Sequence, residues 1–387
     1  MILKNPAIAL IIIFSLFMQN EHLVSQPAAV GIHGQISGWL LTNDQVKSEN
    51  QLGIRYIPEI LYDQQLSSVW QISGNVSANM FNSAGFHSFE SPRYDNDLDL
   101  YRFWLRFSTS QFEVRAGLQK INFGAAFMLR PLMWFDRIDP RDPLQMTDGV
   151  YGLLARYYFL NNANIWLWGL YGNEDPKGWE ILKTQENSVE FGGRIQYPFS
   201  RGEIGLTYHH RMAETPRDII DTGLTGIEPE FNEHRFGIDT KWDLEVGIWM
   251  ESVLIQRNID GLPFKYQQMT TFGGDYTFAL GNGLHAMIEH MRISYGNVIL
   301  AEDELYSITA SSVDYPIGLM DQLVFMFYYD WENSDAYKFL HWQRLYDNWS
   351  LHMIGFMNPT DNMLYSTNII SNPFSGNGFQ IMIVYNY

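Results

Sequence analysis

Five arginines stand at alternate positions of short, aromatic-rich segments: Arg102, Arg106, Arg115, Arg156 and Arg194. A guanidinium keeps its charge at any physiological pH and presents a planar fork of donors that fits carboxylates and phosphates. Further along, the residues of the same phase turn acidic at Asp239, Glu245, Glu251, Asp275, Glu289 and Asp330, with Lys241 the basic exception. Two chemistries fit such a pattern. Opposed basic and acidic walls around water would create a transverse field that orders water and favours polar solutes. Alternatively, Glu113 and Glu190 would take the arginines into salt bridges that brace the wall, because charges enclosed together must be paired.

Catalytic patterns are absent from this set. His285, Glu289 and His290 are spaced HxxxEH, whereas the zinc-protease signature is HxxEH. On a strand, His285 and His290 would point to opposite faces. Ser311, His209 and Asp239 supply the residue types of a nucleophilic triad, but no spacing selects them, and His209 and His210 read as ordinary strand residues. No catalytic residue, metal or cofactor is expected. The absence of cysteine excludes disulfides, thiolate zinc sites and iron–sulfur clusters. With 43 acidic against 25 basic side chains the net charge is -18, which argues against nucleic acid as a partner.

The elements that must position these residues have a period of two. Tyr101, Phe103, Leu105 and Phe107 share one face and Arg102, Trp104 and Arg106 the other; Phe112, Val114, Ala116 and Leu118 then alternate with Glu113, Arg115, Gly117 and Gln119. About eighteen such segments of roughly ten residues follow one another, with sixteen as the alternative count, and that is the length of a tilted membrane-crossing strand. Short links near Gln64, Thr109, Asn161, Ser200, Asp243, Gly281, Tyr315 and Asp347 alternate with long ones, the break near Asn333 being the short exception. This parity predicts an all-β, transmembrane antiparallel barrel with short periplasmic turns and long extracellular loops. An arginine facing lipid at mid-membrane costs about 2 to 4 kcal/mol, so the five arginines are expected in the lumen. Lys4, the apolar run Ala7 to Phe17 and Leu23-Val24-Ser25 read as a secretory signal over residues 1–25, leaving a single barrel domain over 26–387.

The third long connection, Asn122 to Asp148, combines Arg130, Arg137 and Arg141 with Asp136, Asp139 and Asp142, three prolines, and aromatic Phe123, Phe127, Trp134 and Phe135. A freely solvated loop has little use for so many apolar groups. A folded insert in the lumen, acting as a constriction, is expected; an outward lid is the rival. The run Arg115 to Ile121, Gly124, and Asp136-Arg137-Ile138-Asp139-Pro140-Arg141-Asp142 resembles the strand and loop shared by porin-like bacterial outer-membrane barrels, including alginate-export-type relatives and uncharacterised groups. The resemblance covers only the stretch 115–142. It implies a third loop folded into a pore, with Arg130, Arg137 and Arg141 as eyelet candidates. Gln380, Tyr385 and Tyr387 are similar to the carboxy-terminal signal by which such barrels are recognised for insertion, although Met382 stands where glycine is usual.

These readings converge on a Gram-negative outer-membrane channel for passive diffusion of small polar solutes. Expected pore-lining residues are Arg102, Arg106, Arg115, Arg156, Arg194, Asp275, Glu289 and Asp330; the constriction would hold Arg130, Trp134, Phe135, Asp136, Arg137, Asp139, Arg141 and Asp142. Outer-membrane lipid, lipopolysaccharide and the barrel-assembly machinery are the expected partners. A barrel that exports or anchors a surface polysaccharide, with Trp134 and Phe135 stacking on sugar, is the alternative; an outer-membrane hydrolase ranks third.

Overall fold

A computed structural model describes residues 28–44, 50–86, 92–215, 229–258, 264–359 and 374–387. The candidate signal segment lies outside these residues. The described chain is a closed ring of eighteen antiparallel strands and contains no helix. In chain order they are β1 (Ala29–Asn43), β2 (Asn50–Gln65), β3 (Gln71–Phe86), β4 (Arg93–Ser108), β5 (Phe112–Gln119), β6 (Val150–Tyr158), β7 (Asn164–Tyr171), β8 (Val189–Phe199) and β9 (Gly202–Glu214). The second half comprises β10 (Glu230–Asp243), β11 (Gly247–Asn258), β12 (Tyr266–Phe278), β13 (Leu284–Gly296), β14 (Glu304–Pro316), β15 (Asp321–Asp330), β16 (Asp335–Leu345), β17 (Trp349–Met357) and β18 (Asn377–Asn386).

Each strand pairs with its sequence neighbour, and β1 pairs with both β2 and β18, so no edge remains. Closure satisfies the backbone donors and acceptors, which is what lets a sheet sit in hydrocarbon. The amide of Gly34 donates to the carbonyl of Tyr387 at 3.1 Å and Tyr387 returns the bond at the same distance, tying the last residue into the seam.

Side chains alternate as the period of two requires. On β9, Leu206 is 55% exposed while its neighbour Thr207 is 5% exposed, and the same contrast separates Ile288 from Glu289 on β13. The outward set, including Leu153, Leu167, Phe191, Ile195, Leu206, Phe272, Ile288 and Ile383, forms an apolar belt round the ring. Aromatic side chains pair at the ends bearing the short turns, as Tyr157 with Phe159, Phe199 with Trp242, and Tyr276 with Phe278. Such a girdle marks a membrane interface.

One strand departs from simple alternation. Ser77 faces Arg102 but Ala78 faces Leu100, so Tyr101 is an extra residue on β4. The bulge turns Tyr101 inward, where its hydroxyl lies 3.7 Å from the Met146 sulfur of the third long loop. The expected lipid-facing position of Tyr101 is thereby corrected.

Candidate functional site

The third long connection, residues 120–149, crosses the barrel interior. Two carboxylates on the far wall hold its backbone. Glu289 on β13 accepts the amides of Phe127, Met128 and Leu129 at 2.6 to 2.9 Å and the indole N–H of Trp249 at 2.9 Å. Glu251 on β11 accepts the amides of Ala126 at 2.8 Å and Leu132 at 3.1 Å. Thr271 on β12, between them, donates to the carbonyl of Leu129. Consecutive amides turned toward one point form an anion-binding nest, and here the anion is a wall carboxylate. Gly124, at φ +105°, leaves the space that Glu251 fills: a Cβ there would lie 2.1 Å from its Oε1.

Apolar packing completes the septum. Met128 and Leu129 join Met291, Ala310, Tyr328, Phe339 and Phe356 of the wall in one buried cluster. Leu132, Trp134 and Phe135 join Leu154, Trp168, Val253 and Met269 in another. Trp134 is 2% and Phe135 3% exposed, so neither presents a face to a sugar chain, and that basis for glycan stacking is withdrawn.

A second insert, residues 172–188 between β7 and β8, seals the first. Trp179 donates its indole N–H to the carbonyl of Arg130 at 2.7 Å, and Thr184 bridges to Ala213 on β9. Glu180 accepts from Arg211 and Arg235, Lys177 pairs with Glu190, and Glu233 binds Arg211, Arg235 and Arg257. Burial alone would raise the Glu180 carboxyl, but Arg211, Lys177 and Arg235 outweigh it and hold the group below its ordinary range. In the third loop Asp142 goes the other way: burial raises it despite the amides of Leu144 and Met146 that it accepts.

The arginines fall on the lumen side, in three settings. Arg106, Arg115 and Arg156 surround the single carboxylate of Glu113 at 3.8, 3.7 and 3.1 Å, leaving two uncompensated positive charges near the short-turn end. Arg115 lies over the Trp104 ring and Arg156 over that of Trp166. Arg102 is buried and donates to the carbonyl of Thr147 in the third loop at 2.8 Å. Arg194 is consumed by Asp239, with its Nη2 at 2.8 Å from Oδ2, and lies over Phe123. Bracing pairs are thus present at Glu113, Glu190 and Asp239.

The acidic side is narrower than the sequence suggests. Asp275 and Asp314 flank His285 at 3.0 and 3.3 Å, near the short-turn end of β12 to β14 and nearly opposite the arginine cluster in the ring. Glu289 is occupied by the septum and lines no open passage. Asp330 ends β15 and is spent on the turn that follows, accepting the amides of Glu332 and Asn333, and Glu245 lies exposed in the turn between β10 and β11. Arg211, Arg235 and Arg257 add positive charge to β9 through β11, where the sequence pattern predicts a more acidic wall. Their signal was legible: Glu233 and Arg235 share the inward phase with Asp239 on β10.

Within the third loop, Arg130 pairs with Asp136 at 3.2 Å, and Arg141 pairs with Asp139 at 2.6 Å while lying over Phe339 and Phe374. These four residues hold the insert together. Asp142 caps the turn after it. Arg137 instead lines a cleft of about 960 Å³ at the long-loop end, shared with Asn79, Asp99, Tyr101, Asp148 and Glu174. Among the described residues, no cluster of three or more histidines and carboxylates has metal-binding geometry.

No protein-family model matches the chain, and no curated protein does. Solved structures do. OmpT, an outer membrane protein of Vibrio cholerae in its trimer form, aligns over 94% of this chain and 100% of its own at 12% identity and a TM-score of 0.51. Salmonella typhi OmpF in complex with daunomycin aligns over 92% and 97% at 12% identity and 0.51. Escherichia coli Wzi, whose description is a carbohydrate-binding β-barrel involved in group 1 capsule assembly, aligns over 91% and 83% at 10% identity and 0.51. With the closed ring, the apolar belt and the inserted third loop, these likenesses make the fold that of the porin-like outer-membrane β-barrels.

Proposed function

We propose that the chain is an outer-membrane channel passing small polar solutes, selective and narrow, with a preference for anions. The observation that carries this reading is the arginine cluster of β4 to β6. Three guanidiniums share one carboxylate in a partly open vestibule, their side chains 29%, 16% and 16% exposed, next to the point where the septum meets the wall. Excess positive charge in a confined, low-dielectric passage lowers the barrier for anions and raises it for cations. The septum argues for a restricted passage over a wide diffusion pore. Lipid and lipopolysaccharide would cover the belt, and insertion would rely on the barrel-assembly machinery. No catalytic step is assigned.

Planar-bilayer recording tests the reading. The wild-type protein should give small, stable conductance steps with a reversal potential displaced toward anions in a salt gradient. Arg115→Glu combined with Arg156→Glu should move that potential toward cations. Absence of steps, or a reversal potential indifferent to both changes, would overturn the proposal.

The second reading, a barrel that holds a surface glycan, draws support from the long-loop cleft. Its carboxylates, amide and guanidinium could share hydrogen bonds with hydroxyl groups, and Wzi offers a precedent in its description. A purified barrel that conducts nothing and retains oligosaccharide on a column would favour it.

A further inference from the structure

Where the third long connection leaves the wall, the wall is low. β5, β6 and β7 have eight, nine and eight residues, against sixteen in β4 before them and thirteen in β9 after β8. The notch opens into the long-loop cleft, with Asp99, Leu100 and Tyr101 of β4 on one side and Glu174, Lys177 and Ile181 of the second insert on the other. Two strand edges border it, and the chain covers one of them. β9 runs on past its pairing with β8, which stops at Phe191 and His210, and the second insert takes up the excess. There the amide of Gln185 donates to the carbonyl of Met212 and that of Glu214 to Lys183, each at 2.9 Å.

β4 runs on past β5 in the same way. Its pairing with β5 begins at Phe103, so Arg93 to Arg102 have β3 on one side and no strand on the other. The third loop meets the lower end of this stretch, through Met146 at the Tyr101 hydroxyl and Thr147 at Arg102. Above that, Tyr94 to Leu100 are all exposed, and among the described residues no backbone hydrogen bond reaches them from any element but β3. The amide of Leu98 is met by the adjacent Asp97 carboxylate at 2.9 Å. A free strand edge is a template for another strand, and folded proteins ordinarily blunt or cover it. The flanks specify the strand that fits. Asp95, Asp97 and Asp99 stand opposite Ser83, Phe81 and Asn79 of β3, so they share the inward phase and form a row at the cleft. The lysines lining the cleft are spent on other carboxylates, Lys177 on Glu190 and Lys183 on Asp175, and Arg137 lies across it on the third loop. Tyr94, Leu98 and Leu100 turn the opposite way and are exposed.

We propose that the β4 edge from Tyr94 to Leu100 is a docking strand for an extended polypeptide, supplied by another protein and basic at every second position. Its backbone pairs with β4, which adds a strand to the wall at the notch. Its lysines or arginines face Asp95, Asp97 and Asp99, since opposite charges across a strand pair stabilise it and like charges do the reverse. Its intervening apolar residues lie beside Tyr94, Leu98 and Leu100. The seven edge residues span about 24 Å. A glycan carries no ladder of donors and acceptors at strand spacing, and a second copy of a chain with a net charge of -18 is a poor source of the basic strand. The site goes beyond the channel reading and holds whether or not the barrel conducts.

The test titrates the full barrel, folded into vesicles, with a fluorescent peptide of alternating lysine and valine long enough to span the edge, read by anisotropy. The lysine peptide should bind and its glutamate counterpart should not. Methylating the amides that would face β4 keeps the charge and leaves the protein untouched, and should weaken binding by about tenfold or more. The triple variant Asp95→Asn, Asp97→Asn, Asp99→Asn should weaken the unmethylated peptide by about tenfold. Because the chain has no native cysteine, a peptide activated as a mixed disulfide at its centre locates the site. It should be captured by Leu98→Cys and not by Glu304→Cys, exposed at the long-loop end of β14 nearly opposite in the ring. Binding that ignores methylation, or capture at both cysteines alike, would reduce the interaction to diffuse charge and overturn the proposal. Failure of the lysine peptide to bind would overturn it too, and an oligosaccharide retained in its place would give the cleft to a glycan.

Discussion

Glu289 shows how much one side chain can do in a closed lumen. Its two oxygens accept four donors, three from consecutive amides of the third loop. Hydrogen bonds to a charged acceptor contribute about 1.5 to 3 kcal/mol each, and donors left buried without a partner add a penalty of their own. Glu289→Ala should therefore destabilise the folded barrel by about 3 kcal/mol or more, with Glu289→Gln milder because one acceptor oxygen survives. Urea titration in lipid vesicles measures this. The same Glu289→Ala barrel should conduct more, since its septum has lost its strongest tether; unchanged stability and conductance would show that apolar packing alone holds the loop. The alternation in the sequence predicts Glu289 as inward and as a pore charge, and the structure bears out the direction while placing its oxygens on the septum. Its true role needs amides brought from 160 residues away, and no local pattern records them.

At the scale of elements, the alternation and the sorting of links by length made the strands legible, because both follow from a sheet with one face in lipid and turns at one end. What stayed hidden were inserts. The apolar content of residues 122–148 announced that this loop is folded, and the structure places it in the lumen. The insert 172–188 carries no comparable signal: its anchors Lys177 and Glu180 look like solvated loop charges until Arg211 and Arg235 arrive from β9 and β10. The bulge at Tyr101 was equally silent, since one extra residue shifts a register without changing composition. The lattice round Glu180 responds to acid in a defined direction. A carboxyl held below its ordinary value stabilises the fold fully above the unfolded value, and that contribution is lost as pH falls through the lowered one. The insert should resist pepsin in mildly acidic buffer and become cleavable only under strongly acidic conditions. Glu180→Gln should be cleaved across the whole acidic range, and a wild-type insert whose cleavage ignores pH would contradict the role given to this lattice.

Over the whole molecule, the decisive question is what surrounds the ring, and the outward residues answer it. Leu206 and Ile195 stand opposite each other on β9 and β8, with Phe236 diagonally across on β10, and each is about half exposed, an arrangement that water penalises and hydrocarbon rewards. The same closed ring hides the backbone and the charges, so lipid meets a continuous apolar surface while the arginines remain inside. A single outward charge discriminates between the two surroundings. In water, Leu206→Arg is a substitution at a half-exposed site, worth within about 0.5 kcal/mol. In a bilayer the guanidinium enters the apolar belt, and the cost rises to about 2 kcal/mol or more. Leu319→Arg serves as the control, since Leu319 lies fully exposed in the short turn between β14 and β15, outside the belt. Urea titrations of both variants folded into vesicles should show Leu206→Arg destabilised and Leu319→Arg near wild type. Equal stability would mean that the belt does not contact hydrocarbon, and the reason for the arginines to face inward would go with it.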